Sequence, residues 1–180
     1  MNRVIRKSKA QSAGEAHDLL SSLFAAEIAM PSTCLWLVSP WITDVDILNN
    51  TAGTFPDLNR FGRRHIRLAE ILVTLAAAGS TVVIGTTSDS HNSTFLHRVR
   101  SLARDLGVTD RVSIVVDVSG RLHSKALTGD GFAVSGSMNI TYNGINVREE
   151  QVELRIDEEY VSRARMDAYD RFGGSINGLR

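Results

Sequence analysis

Two helical periods, each closed by a glycine and followed at once by a short apolar run, set the class of fold open to this chain. Ile66, Ala69, Leu72, Val73 and Ala76 share one face of a segment running from about Asn59 to Ala78, and Gly79 stands at its C-terminal stop. Residues 80–86 then read as a strand. A helix announced by Asn92-Ser93 carries Phe95, Leu96, Val99, Leu102, Ala103 and Leu106 up to Gly107, ahead of a strand over 112–117. Upstream, residues 13–29 place Leu19, Leu20, Leu23, Phe24 and Ile28 at helical spacing before Pro31, and 33–38 form an apolar strand closed by Ser39-Pro40. Downstream, strands are expected over 122–128 and 131–135, separated by Gly129-Asp130. The alternation of Val152, Leu154 and Ile156 gives another strand, and a last helix runs from Asp157-Glu158-Glu159 to Phe172-Gly173. Helices that punctuate strands predict an α/β fold: a mixed, largely parallel sheet flanked by helices on both faces.

The 180 residues suit one domain, 1–180, since a chain of this size buries about 70% of its unfolded surface. Residues 1–12, with Arg3, Arg6, Lys7 and Lys9, read as a flexible basic N-terminus. Twenty basic side chains balance twenty acidic ones, so no global field drives non-specific binding to nucleic acid or to an anionic membrane, and any polyanion must be held locally. Cys34, the only cysteine, lies in an apolar run, which excludes an internal disulfide and suits a buried thiol in a reducing compartment. Glu15, His17, Asp18 and Glu27 break any signal-peptide core, and no stretch approaches the roughly 20 apolar residues of a membrane span. These readings predict a cytoplasmic protein without a membrane partner.

The chemistry gathers in Leu122-His123-Ser124-Lys125-Ala126-Leu127-Thr128-Gly129-Asp130 and, a few residues on, Gly136-Ser137-Met138-Asn139. On an extended segment His123 and Lys125 project to the same side, which sets an imidazole and a compact ammonium over one spot. That pair suits a phosphoryl group: lysine meets one non-bridging oxygen, Asn139 donates to another, and histidine supplies a nucleophile or a proton carrier. Gly136 and Ser137 fit a tight turn that aims a backbone N–H and a hydroxyl at the anion. With five His, three Lys and twelve Asp, His-x-Lys-x4-Asp is expected by chance roughly 0.006 times in such a chain. Lysine is otherwise confined to positions 7 and 9, against seventeen arginines, so a compact cation at 125 stands out.

His123, Lys125 and Asp130, followed by Gly136, Ser137 and Asn139, resemble the signature of the phospholipase D superfamily. The resemblance implies a phospholipase D-like α/β/α sandwich over most of the chain and an acidic residue about ten positions after the motif asparagine, where Glu149 and Glu150 both stand. It implies a metal-independent phosphodiesterase with no cofactor. The chain carries one motif only: His17, His65, His91 and His97 all lack a lysine two residues on. Single-motif members resembling it are small bacterial nucleases that work as homodimers, sharing one active site between two copies. In that scheme one His123 attacks phosphorus and the other protonates the leaving oxygen; Lys125 and Asn139 offset charge, the site glutamate orients the imidazole and Asp130 supports the pair. Size and motif also resemble phospholipase-D-like proteins of bacterial clusters that install 7-deazaguanine bases in DNA, which implies a DNA modification or restriction system with partner proteins.

Several residues carry two readings. Arg60, Arg64 and Arg67, with Arg63, fall at helical spacing and either grip a nucleic-acid backbone or form a solvated helix face. Trp41 either stacks on a base or packs. Glu149-Glu150 read equally as surface charge. The loop 86–94, with Asp89 and His91, is placed to line a substrate groove, and His91 and His97 lack a third partner for a metal. Nucleic acid, DNA ahead of RNA, is the expected substrate; a non-catalytic phosphate- or DNA-binding module within an assembly is the alternative.

Overall fold

The computed structural model describes residues 2–6 and 14–176. Strands β1 (Arg3–Arg6), β2 (Cys34–Val38), β5 (Thr81–Thr87), β6 (Val112–Asp117), β7 (Ala126–Thr128), β8 (Ala133–Gly136) and β9 (Gln151–Arg155) form one sheet in the order β1-β9-β8-β7-β2-β5-β6. A separate pair, β3 (Asp46–Asn49) and β4 (His65–Arg67), lies between β2 and β5 in sequence. The helices are α1 (Glu15–Ala29), α2 (Leu68–Ala77), α3 (Ser93–Asp105), α4 (Tyr142–Asn146) and α5 (Glu158–Phe172).

β2, β5 and β6 run parallel, joined by crossovers that contain α2 and α3, as the alternating pattern predicts. The β2–β7, β7–β8, β8–β9 and β9–β1 ladders are antiparallel. The sheet is therefore mixed, with its parallel part confined to three strands, and the tight connection between β7 and β8, Gly129 to Phe132, allows only a hairpin.

Alternation along the buried strands builds a core on each face. Leu35, Leu37, Val82 and Ile84 join side chains of α1, α2 and α3, while Cys34, Trp36 and Val83 point the other way, against Ala168 and Phe172 of α5. The Trp36 indole N–H donates to the Gly173 carbonyl at 2.8 Å, fixing the end of α5 to the sheet. The Cys34 thiol is buried, and burial pushes its pKa up. Among the described residues no helix is long and apolar enough to cross a membrane.

Two sequence expectations change here. Arg3–Arg6, expected within a flexible tail, pairs with β9; Ile5 is buried opposite Val152, and that burial holds the edge strand down. Lys7 and Lys9 lie outside the described residues. The helix expected from Asn59 begins only at Leu68. Residues 56–61 form a 3-10 turn, Gly62 takes φ 94°, and His65–Arg67 becomes a strand because it pairs with Asp46–Asn49. The α2 N-terminus is then set by carboxylates: Asp44 accepts from the Ala69 N–H at 2.9 Å and Glu70 from the Arg67 N–H at 2.9 Å.

Candidate active site

The carboxyl ends of the three parallel strands open on one cleft of about 430 Å³. Pro40 and Trp41 follow β2, Thr87 closes β5 and leads into Ser88 and Asp89, and Gly120 and Leu122 follow β6. Across from them stand His123 and Lys125, just ahead of β7, and Asn139, just beyond β8. The structure thus brings together His123, Lys125, Asn139 and Trp41.

His123 and Lys125 precede the strand expected to hold them. β7 pairs with β2 only as far as Ala126 opposite Val38, since Ser39-Pro40 turns away and Pro40 has no N–H to extend the ladder. Residues 121–125 belong to no strand, and His123 and Lys125, two apart, still line one cleft. The Lys125 ammonium folds onto the His123 carbonyl at 2.6 Å. His123 is exposed, and among the described residues its ring has no hydrogen-bond partner. Asp117, at the end of β6, shapes this approach: its carboxylate accepts from the Ser119 hydroxyl at 2.6 Å and from the Leu122 N–H at 2.8 Å. Those bonds, the Ser119 hydroxyl foremost, hold its pKa below the ordinary carboxylate value.

Asn139 presents its amide by a fixed route. Its Oδ1 lies 3.3 Å from the hydroxyl of fully buried Ser39, which leaves the NH2 as the group free to donate into the cleft. The same hydroxyl donates to the Trp41 carbonyl at 2.8 Å, the shorter and stronger contact, so Ser39 joins the two walls. Asn92, expected as a helix cap, does something else: its side chain donates to the Pro40 carbonyl at 2.9 Å and accepts from the Ile42 N–H at 2.8 Å, clamping the segment that carries Trp41. The Trp41 indole N–H donates to Asp89 at 3.2 Å.

Gly136 and Ser137 act at the end of β8. The Ser137 hydroxyl donates to Glu150 at 2.5 Å and accepts from the Gln151 N–H at 3.0 Å, which couples Glu150 to the end of β8. Glu149 is exposed, without such a bond among the described residues. Ser137 follows β8 and Glu150 precedes β9, one and two strands away from β7, and the Glu150 carboxylate serves Ser137 and not the His123 ring of its own chain. Gly136 takes φ 155°, and a Cβ there would lie 2.0 Å from the Gln151 carbonyl oxygen. Gly136→Ala is expected to force β8 and β9 apart and cost about 2 kcal/mol, read as a lower thermal midpoint in calorimetry.

Other predicted site residues lie elsewhere. Asp130 sits past the far end of β7, opposite the cleft, where it accepts from the Thr33 N–H at 2.7 Å and pairs with Arg165 at 3.0 Å. Arg60, Arg64 and Arg67 share no helix face, because that part of the expected helix is a turn and a strand. Arg60 bonds the Asp57 carbonyl, Arg64 makes two bonds to buried Glu70, and Arg67 pairs with Asp46 at 3.4 Å. Burial alone would raise the pKa of Glu70, but bonds from Arg64, the Arg67 N–H and Arg98 outweigh it and hold the acid below its ordinary value. Arg64 and Arg67 line a different cleft, with Asp46, His65 and Arg98. Among the described residues no three of His, Cys, Asp and Glu gather as metal ligands.

No protein-family model and no curated protein matches the chain. Solved structures do. NucT from Helicobacter pylori superposes with a TM-score of 0.60 at 14% identity, over 97% of this chain and 99% of that one. Nuc from Salmonella typhimurium, a phospholipase D family member, gives 0.60 at 13% over 95% and 92%. The chain has the phospholipase D fold. The same fold recurs inside a larger protein, a polyphosphate kinase from Porphyromonas gingivalis, at a TM-score of 0.59 and 12% identity over 99% of this chain and 27% of that one. In this phospholipase D fold, the motif histidine, lysine and asparagine share the cleft, whereas the motif aspartate stands at the opposite end of the sheet.

Proposed function

We propose that the chain is a metal-independent phosphodiesterase, a nuclease acting on DNA, whose active site is completed by a second copy of the same chain. The observation that carries the reading is the meeting of an exposed imidazole, a compact ammonium and a free amide donor in one cleft at the carboxyl ends of parallel strands. The His123 ring attacks phosphorus: an N–P bond forms, the P–O bond to the leaving group breaks, and that oxygen takes a proton from a second imidazole. The second imidazole, now neutral, takes a proton from water as the water oxygen displaces His123 from phosphorus. Lys125 and Asn139 offset the charge that builds on the phosphoryl oxygens.

This chemistry needs two imidazoles in opposite protonation states, and His123 is the one imidazole lining the cleft among the described residues. A two-fold pair of chains facing each other across this edge supplies the other. Glu150, held by the Ser137 hydroxyl, is then the acid that accepts the remaining N–H of an imidazole in the assembled site, in preference to Glu149. DNA is the substrate of choice because the motif resembles that of small bacterial nucleases. Service within a DNA modification or restriction system, with partner proteins, is part of the same reading and is supported by chain size and motif.

Wild-type protein is expected to hydrolyse bis(p-nitrophenyl) phosphate and a DNA oligonucleotide at the same rate with and without EDTA, and to scatter light as a dimer. Loss of turnover in EDTA would overturn the metal-free mechanism, and a strict monomer under active conditions would overturn the shared site.

A further inference from the structure

Trp41 separates two clefts. On one side is the cleft of His123, Lys125 and Asn139; on the other is a second one of about 360 Å³, lined among others by Trp41, Thr43, His91, Tyr142 and Arg148. Asp89 lines both. The volume falls within the roughly 300–1,000 Å³ of small-ligand sites.

The second cleft is aromatic and open. Trp41 is 42% and Tyr142 64% exposed, although rings of this size normally bury most of their surface. Trp41 is held at its ring and Tyr142 at its backbone. Trp41 is held by Asp89 at its indole N–H and by Ser39 at its carbonyl, with the His91 ring tilted beside it at 6.4 Å. Tyr142 opens α4, and its N–H lies 3.3 Å from the Thr43 hydroxyl, where residues 42 and 140 bridge side by side. The Trp41 ring is therefore presented ready-made, with the Tyr142 backbone fixed at the other side of the cleft, which lowers the ordering cost of a ligand that stacks there. Around them stand a cation, Arg148, and the polar groups of Thr43, Asn143 and Asp89. The Asp89 carboxylate is already engaged by the Trp41 indole and by the His91 N–H at 2.8 Å.

Rings with polar edges and a neighbouring cation suit a flat heterocycle attached to a phosphate. An aliphatic chain would strand those polar groups without partners. We propose that this second cleft is a nucleobase subsite for single-stranded nucleic acid: an unpaired base next to the scissile phosphate stacks on Trp41 and Tyr142, and Arg148 meets the adjoining phosphate. In a duplex both faces of a base are already covered, so a paired strand offers nothing to this site. The proposal rests on the phosphodiesterase reading for the order of groups along the strand, and Ser39 is the joint that fixes the distance between stacked base and phosphate.

Tryptophan fluorescence reads the site directly, because Trp36 is fully buried and Trp41 is exposed. The His123→Ala protein, which keeps substrate uncleaved, is titrated with a single-stranded oligonucleotide, its duplex, an abasic strand of equal length and anionic phospholipid vesicles. The base-bearing single strand is expected to quench emission and saturate, with the abasic strand and the duplex about tenfold weaker or more; Tyr142→Ala in the same background is expected to weaken the single strand about tenfold. Equal binding of abasic and base-bearing strands, tighter binding of the duplex, quenching by vesicles instead of oligonucleotide, or no effect of Tyr142→Ala would each overturn the subsite. Base-dependent quenching in a protein whose wild type shows no phosphodiesterase turnover would overturn the catalytic reading and leave the subsite standing.

Discussion

Replacing His123 by alanine lowers turnover of bis(p-nitrophenyl) phosphate by roughly 10⁴-fold or more, the scale on which removing a nucleophile acts in well-studied hydrolases. The fold survives, because the ring is exposed and carries no hydrogen bond among the described residues, so circular dichroism and the thermal midpoint stay at their wild-type values. A shared site adds a sharper expectation. When wild-type and His123→Ala chains are mixed and allowed to exchange, only pairs of two wild-type chains hold both imidazoles. Activity then falls with the square of the wild-type fraction, so an equal mixture gives about a quarter of the starting rate at constant total protein. A linear fall to one half means that each chain turns over alone. A His123→Ala protein as active as wild type removes the covalent mechanism altogether.

The sequence read best where a signal is local. The strand over 112–117 stands at those bounds, and the last helix, expected from Asp157-Glu158-Glu159, starts at Glu158 with Asp157 as its cap, accepting from the Tyr160 N–H at 3.2 Å. His123, Lys125 and Asn139 were legible as one group, since a spacing of two survives even though the strand starts later than expected. Long-range pairings were hidden. The arginines at 60, 63, 64 and 67 mimic a helical stripe by spacing, and only the pairing of His65–Arg67 with Asp46–Asn49, some twenty residues away, shows why they cannot be one. Ser39 and Asn92 were visible as a strand end and a helix start, but the hold of Ser39 on Asn139 and the clamp of Asn92 on the segment of Trp41 depend on contacts 50 to 101 residues distant. The carboxyl end of a parallel strand is the signal that points to Ser39, and the same signal points to Asp117 and Asp89.

Asp130 separates a motif's spelling from its chemistry, and Asp130→Asn tests that separation. Its carboxylate does two things at the end of the sheet away from the cleft. It accepts the Thr33 N–H at 2.7 Å, where β2 begins, and it attracts Arg165 of α5, a largely buried guanidinium whose Nη2 sits 3.0 Å from Oδ1. The second contact falls outside hydrogen-bond angles, so it is mainly coulombic. The Asp130 N–H meanwhile donates to the Ser32 hydroxyl at 2.8 Å, and that hydroxyl donates to buried Glu27 at 2.7 Å. One residue thus ties the turn after β7, the start of β2, the end of α1 and the middle of α5. An asparagine can still accept from Thr33, but it takes the charge away from Arg165 and turns a donor toward a donor. Leaving that guanidinium buried and unpaired costs about 3 kcal/mol. For a chain of this size that corresponds to a fall of roughly 6–12 °C in the thermal midpoint. Below that midpoint the folded protein should turn over substrate within about threefold of wild type, because none of these contacts reaches His123, Lys125 or Asn139. Loss of activity on the scale of His123→Ala in a protein that melts like wild type would instead return Asp130 to the reacting groups.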